Sequence, residues 1–83
     1  MSISEIKVEP FAMDVSFTAE DLIARLADGR QVSVPLAWYP KLLRATPEQR
    51  GNWRLIGNGI GIHWRLIDEH ISVASMFTAE EIP

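Results

Sequence analysis

The stretch W-R-L-I-G-N-G-I-G-I-H-W, Trp53 to Trp64, constrains the fold more than any other part of this chain. Asn58-Gly59 is the dipeptide best suited to the centre of a tight hairpin turn, where both residues need positive φ, and apolar-rich runs flank it on either side. With these two at the turn, Trp53 pairs with Trp64, Arg54 with His63 and Leu55 with Ile62. The pleat then sends Trp53, Leu55, Ile60, Ile62 and Trp64 to one face, and Arg54, Ile56, His63 and Arg65 to the other. A sheet buried on one side follows.

The rest of the chain is arranged around this hairpin. Ile3 to Val8 reads as an edge strand closed by Pro10, and Asp14 to Phe17 as a second short strand with Val15 and Phe17 on one side. Thr18 to Gly29 carries two conflicting signals. Thr18 suits a helix cap, with Glu20 and Asp21 in the first turn, an apolar stripe of Leu22, Ile23 and Leu26, and Gly29 at the end. Yet Asp28-Gly29 followed by Arg30-Gln31-Val32-Ser33-Val34 reads as a hairpin turn and a strand, which needs a partner strand before the turn. Both readings turn Val32 and Val34 inward.

Beyond Val34 the chain reads V-P-L-A-W-Y-P-K-L-L, with Pro40 opening a short helix that Pro47 ends by Thr46. Thr46-Pro47-Glu48-Gln49 combines a capping threonine, proline at the first helical position and glutamine placed for a capping box. Ser72 is placed to cap a last helix through Val73, Met76 and Phe77. The expected fold class is α+β: one domain spanning residues 1–83, built of antiparallel hairpins with two or three short helices packed on the sheet.

Composition limits what such a domain does. A chain of 83 residues buries only about 60 to 65% of its unfolded surface. With no cysteine it has no disulfide or thiolate metal site to staple it. Packing or association with another chain must supply its stability. No apolar run reaches membrane-spanning length and the first ten residues do not resemble a signal peptide, so a cytoplasmic protein without a membrane partner is expected. The net charge of −3 is segregated: residues 1–29 carry six acidic and two basic side chains, residues 30–65 six basic and one acidic, and residues 66–83 four acidic and none basic. Internal pairing across the fold is the expected fate of most of these charges.

Few residues suggest chemistry. Gly57-Asn58-Gly59-Ile60-Gly61 lacks the following lysine and helix of a phosphate-cradling loop, and is better explained by turn geometry. His63, Asp68, Glu69 and His70 are spaced poorly for a metal or acid-base site, because an odd separation on one strand puts His63 and His70 on opposite faces; Ile67 to Ile71 reads as a polar turn. No activated nucleophile is recognisable, so neither a catalytic residue nor a cofactor or metal ligand is assigned. Two binding surfaces are candidates. Trp38, Tyr39 and Leu43 form a partner-binding face if the first two are exposed beside the third; otherwise the corner closes the core. Arg54, His63 and Arg65 share a sheet face that suits weak nucleic-acid contact.

The run from Ala27 to Trp64, with D-G-R, V-P-L-A-W-Y-P, A-T-P-E-Q-R and G-I-H-W at their present spacings, followed by I-D-E-H-I-S-V from Ile67, resembles the bacterial Domain of Unknown Function 2442 over about residues 12 to 77. Lys41 stands where arginine is usual, and His70 where an acidic residue is usual. The resemblance implies a small α+β domain, alone or fused to a helix-turn-helix, without established catalytic activity, and it favours strand for Leu22 to Ala27. Relatives of this kind are often encoded beside small toxin-like proteins, which implies an antitoxin-like or regulatory role. A non-enzymatic module binding a protein partner or itself is therefore expected, with nucleic-acid binding as the alternative.

Overall fold

A computed structural model describes residues 11–77 of the chain. The strand expected over Ile3 to Val8 lies outside these residues. The described residues form two three-stranded antiparallel sheets. The first is β1 (Ala12–Phe17), β2 (Asp21–Leu26) and β3 (Gln31–Pro35), in that order; the second is β4 (Trp53–Ile56), β5 (Gly61–Trp64) and β6 (Glu69–Ser72). Between them run a 3-10 turn at Leu36–Trp38 and two short helices, α1 (Pro40–Leu43) and α2 (Pro47–Gly51).

The conflict at Thr18 to Gly29 resolves to strand. Leu22, Ala24 and Leu26 alternate into the core while Arg25 faces out, and β2 pairs with strands on both sides. Two ladders outweigh a local helical preference of a few tenths of a kcal/mol per residue, on the order of. Thr18 still caps backbone donors: its Oγ1 accepts from the amides of Glu20 and Asp21, closing the β1–β2 turn. Between β2 and β3 the Leu26 amide donates to the Arg30 carbonyl, enclosing Ala27, Asp28 and Gly29 in the turn expected at Asp28-Gly29. Gly29 donates to the Leu26 carbonyl and takes φ +93°, the pattern of a type I turn followed by a left-handed residue. In β1 a bulge between Ala12 and Asp14 resets the alternation, so that Ala12 and Val15 both point inward.

The connecting segment follows its sequence signals closely. Thr46 and Gln49 make the reciprocal capping box, and Pro47 opens α2. The Arg50 guanidinium donates to the Leu42 and Leu43 carbonyls at 2.9 and 3.0 Å, adding to the bond that Leu42 accepts from the Ala45 amide and tying α2 to the end of α1. Trp64 Nε1 in turn donates to the Arg50 carbonyl at 3.0 Å, tying α2 to β5. The two sheets and the connector share one core, in which Leu22, Leu36, Leu42, Ile62, Trp64 and Val73 are fully buried. Phe17 of β1 meets the Trp64 ring edge to face at 6.4 Å, so both sheets contribute directly to this core.

The segment after β6 is a 3-10 turn, Val73–Phe77, in place of the expected capped helix. Val73 and Met76 are buried, while Phe77 turns outward under the Arg30 guanidinium, 6.0 Å from its ring centre.

Candidate functional site

The Trp38 corner closes the core. Tyr39 is only 9% exposed and Trp38 packs against the buried cluster, leaving Leu43, at 49%, as the exposed member of the three. The expected condition for a partner face, Trp38 and Tyr39 both open beside Leu43, is not met. Burial raises the Tyr39 pKa above 10.0 and the negative charge of Glu69 adds to this, whereas the Ser75 side chain opposes it. The Ser75 hydroxyl also donates to the Ser72 carbonyl at 2.7 Å.

The outer face of the second sheet is assembled as its turn signal predicts. Trp53 pairs with Trp64, Arg54 with His63 and Leu55 with Ile62. Gly57 closes on Ile60 around Asn58 and Gly59, both at positive φ, which is the primed turn this dipeptide favours. The ladder stops at Ile56 and Gly61, however. Ile60 therefore lies in the turn and is 49% exposed, a correction to its expected place on the buried face. Gly59 has a second constraint, since a Cβ on it would stand 2.4 Å from the Ala12 carbonyl oxygen. The turn is seated directly on β1.

The polar turn expected over Ile67 to Ile71 is instead a turn at Arg65 to Asp68 followed by a strand. Asp68 takes φ +54° and its amide donates to the Arg65 carbonyl, so β6 returns antiparallel beside β5. His70 consequently pairs with His63 across the ladder on the same face. The rule that odd separation divides the faces holds along one strand, and this pair spans two. Arg54, His63 and His70 form a continuous row across β4, β5 and β6. The imidazole centres of His63 and His70 are 6.3 Å apart and their planes 46° apart. The His70 ring leans over Gly61: a Cβ there would sit 3.0 Å from His70 Cε1. Gly61 thus serves by lacking a side chain, its φ being unexceptional.

Arg54 and Arg65 are exposed and line a shallow cleft of about 270 Å³ with Asn52 and Trp53. Neither makes an ion pair with a described residue. Ile56, 40% exposed, is two residues beyond Arg54 on the same face. Thus Arg54, His63 and Arg65 do share one surface, joined by His70 and Ile56. The signal for His70 was the alternation of Glu69-His70-Ile71-Ser72, obscured by its charged beginning. Among the described residues, no group of three or more His, Cys, Asp or Glu side chains is gathered as a metal centre, and no helix is long and apolar enough to cross a membrane.

Two small antiparallel sheets closed on one core by proline-started helical turns define the class, an α+β domain. A protein of unknown function from Rhodospirillum rubrum ATCC 11170, whose crystal structure was determined at 2.75 Å, has a similar fold: TM-score 0.75 and 23% identity, covering 87% of this chain and 89% of that one. The chain belongs to the family described as Protein of unknown function (DUF2442), whose model matches residues 12–81. No curated protein matches it.

Proposed function

We propose that this chain is a non-enzymatic, cytoplasmic interaction module that holds an acidic segment of a partner protein on the outer face of β4 to β6. The observation that carries this reading is that Arg54 and Arg65 have no carboxylate partner among the described residues, on a face where Ile56 is exposed. Guanidinium groups present forked donors that match carboxylates, and an adjacent apolar side chain adds area that water gives up on binding. Occluding a partner through such contacts is a regulatory or antitoxin-like action. A second reading, single-stranded nucleic acid, draws support from the cleft that sets the Trp53 indole beside the same two arginines. The chain's acidic balance and few free cations favour the protein partner.

Isotope-labelled protein titrated separately with a short polyglutamate peptide and with short single-stranded DNA distinguishes the readings by NMR. Shifts confined to β4–β6 with the peptide, abolished by Arg54→Glu combined with Arg65→Glu, are expected. Shifts with DNA alone transfer the face to the second reading, and silence with both at low salt rejects the two together.

A further inference from the structure

We infer that His63 and His70 form an open, two-ligand site for a divalent transition metal ion of the nickel, copper or zinc type. The inference goes beyond the binding face proposed above, because it requires no macromolecular partner. Neutral imidazole is the commonest protein ligand for these ions. The β5–β6 ladder holds the two histidines directly opposite one another on one face, with ring centres 6.3 Å apart. Two imidazoles sharing a tetrahedral zinc, with Zn–N bonds of about 2.0–2.1 Å, have centres roughly 5 Å apart. Closing the pair by about 1 Å needs only small side-chain rotations within ordinary rotamer wells. His70 is exposed, and its Cε1–Nε2 edge rests over Gly61, two residues before His63 on β5, a position that only the missing Cβ leaves open to the ring. The remaining coordination positions face solvent and are open to water or an incoming carboxylate. Arg54, paired with His63 on its other side, places a positive charge in the same row and weakens the site without blocking it.

Calorimetric titration of the untagged full chain with nickel chloride, followed in parallel by NMR of the histidine ring protons, tests the assignment. One ion per chain is expected, with both rings perturbed together. Either His63→Ala or His70→Ala is expected to weaken binding by about tenfold or more, since each removes the chelate. Both positions are on the solvent-facing side of the sheet, so the variants retain the fold, which the amide spectrum verifies. Arg54→Gln is expected to tighten binding about threefold at low salt by removing the nearby charge. Full affinity in either histidine variant, an unchanged affinity in Arg54→Gln, or absence of binding at millimolar nickel overturns the site.

Discussion

The first sheet keeps its arginines for itself, and the second leaves them open. Arg30 meets Asp28 at 2.8 Å in the β2–β3 turn, and Arg25 faces Asp14 across β1 and β2 at 3.9 Å. Arg54 on β4 and Arg65 just past β5, in a sheet that likewise has three strands, meet no carboxylate among the described residues. Placement explains the difference. Arg25 lies within the acidic part of the chain and Arg30 at its border, two residues past Asp28, so each finds an acid one strand or one turn away. Strands β4 and β5 come from the basic middle, and the acidic residues of β6 and its turn lie elsewhere: Glu69 opposite Trp64, and Asp68 at the turn, where its carbonyl accepts from Lys41 at 2.8 Å. A segregated sequence therefore folds into one sheet with local charge balance and one with an unbalanced face.

The comparison breaks most severely at the platform under the open face. Trp64→Ala removes the largest fully buried side chain and its bond to the Arg50 carbonyl, so a loss of about 3–5 kcal/mol is expected in urea unfolding. Gly59→Ala attacks the seat of the second sheet on the first: the new methyl meets the Ala12 carbonyl at a glycine held at φ +102°, for an expected cost of about 2–4 kcal/mol. Tyr39→Phe is expected to change stability at neutral pH by no more than about 1 kcal/mol, since its hydroxyl makes no well-formed hydrogen bond. Its effect is sharper in alkali. The folded pKa is raised, so above pH 10.0 the unfolded chain releases a proton that the folded chain retains, and stability falls with rising pH. Phenylalanine removes that contribution, which thermal melts between neutral and strongly alkaline pH would reveal.

Surface charge sharpens the contrast with the smallest effects. Asp14→Ala, which breaks a pair in the first sheet, is expected to cost less than about 1 kcal/mol, and less still in high salt. Arg54→Glu should alter stability by no more than about 0.5 kcal/mol while abolishing acidic-peptide binding. A larger stability loss for Arg54→Glu than for Asp14→Ala would mean that the open face is not open.

How much of this could be read from the chain depended on how local the determining physics was. The β4–β5 register and the Thr46 capping box are written within a few residues each, and both are observed as expected. Strand β2 was ambiguous because its helical preference is local while its two ladders join segments brought together only by the fold. Extending the alternation of β5 into the turn places Ile60 inward, yet it lies one residue beyond the last pair, Ile56 with Gly61. Of the candidate residues, Arg54, His63 and Arg65 were grouped correctly by periodicity. His70 was missed because its neighbour on that face comes from another strand; for Tyr39 the sequence left a partner face and a core-closing corner both open, and packing from several elements decides for the corner.

The bulge at the start of β1 and Pro35 at the end of β3 also have a consequence for how copies of this protein meet in a crowded solution. Among the described residues both features sit on the two outer strands of the first sheet, where backbone donors and acceptors otherwise invite another chain to add a strand. The bulge bends one of these edges and interrupts its regular spacing, and proline deletes a donor from the other. Growth of the sheet from chain to chain, the first step toward fibrils, is thus discouraged at both sides.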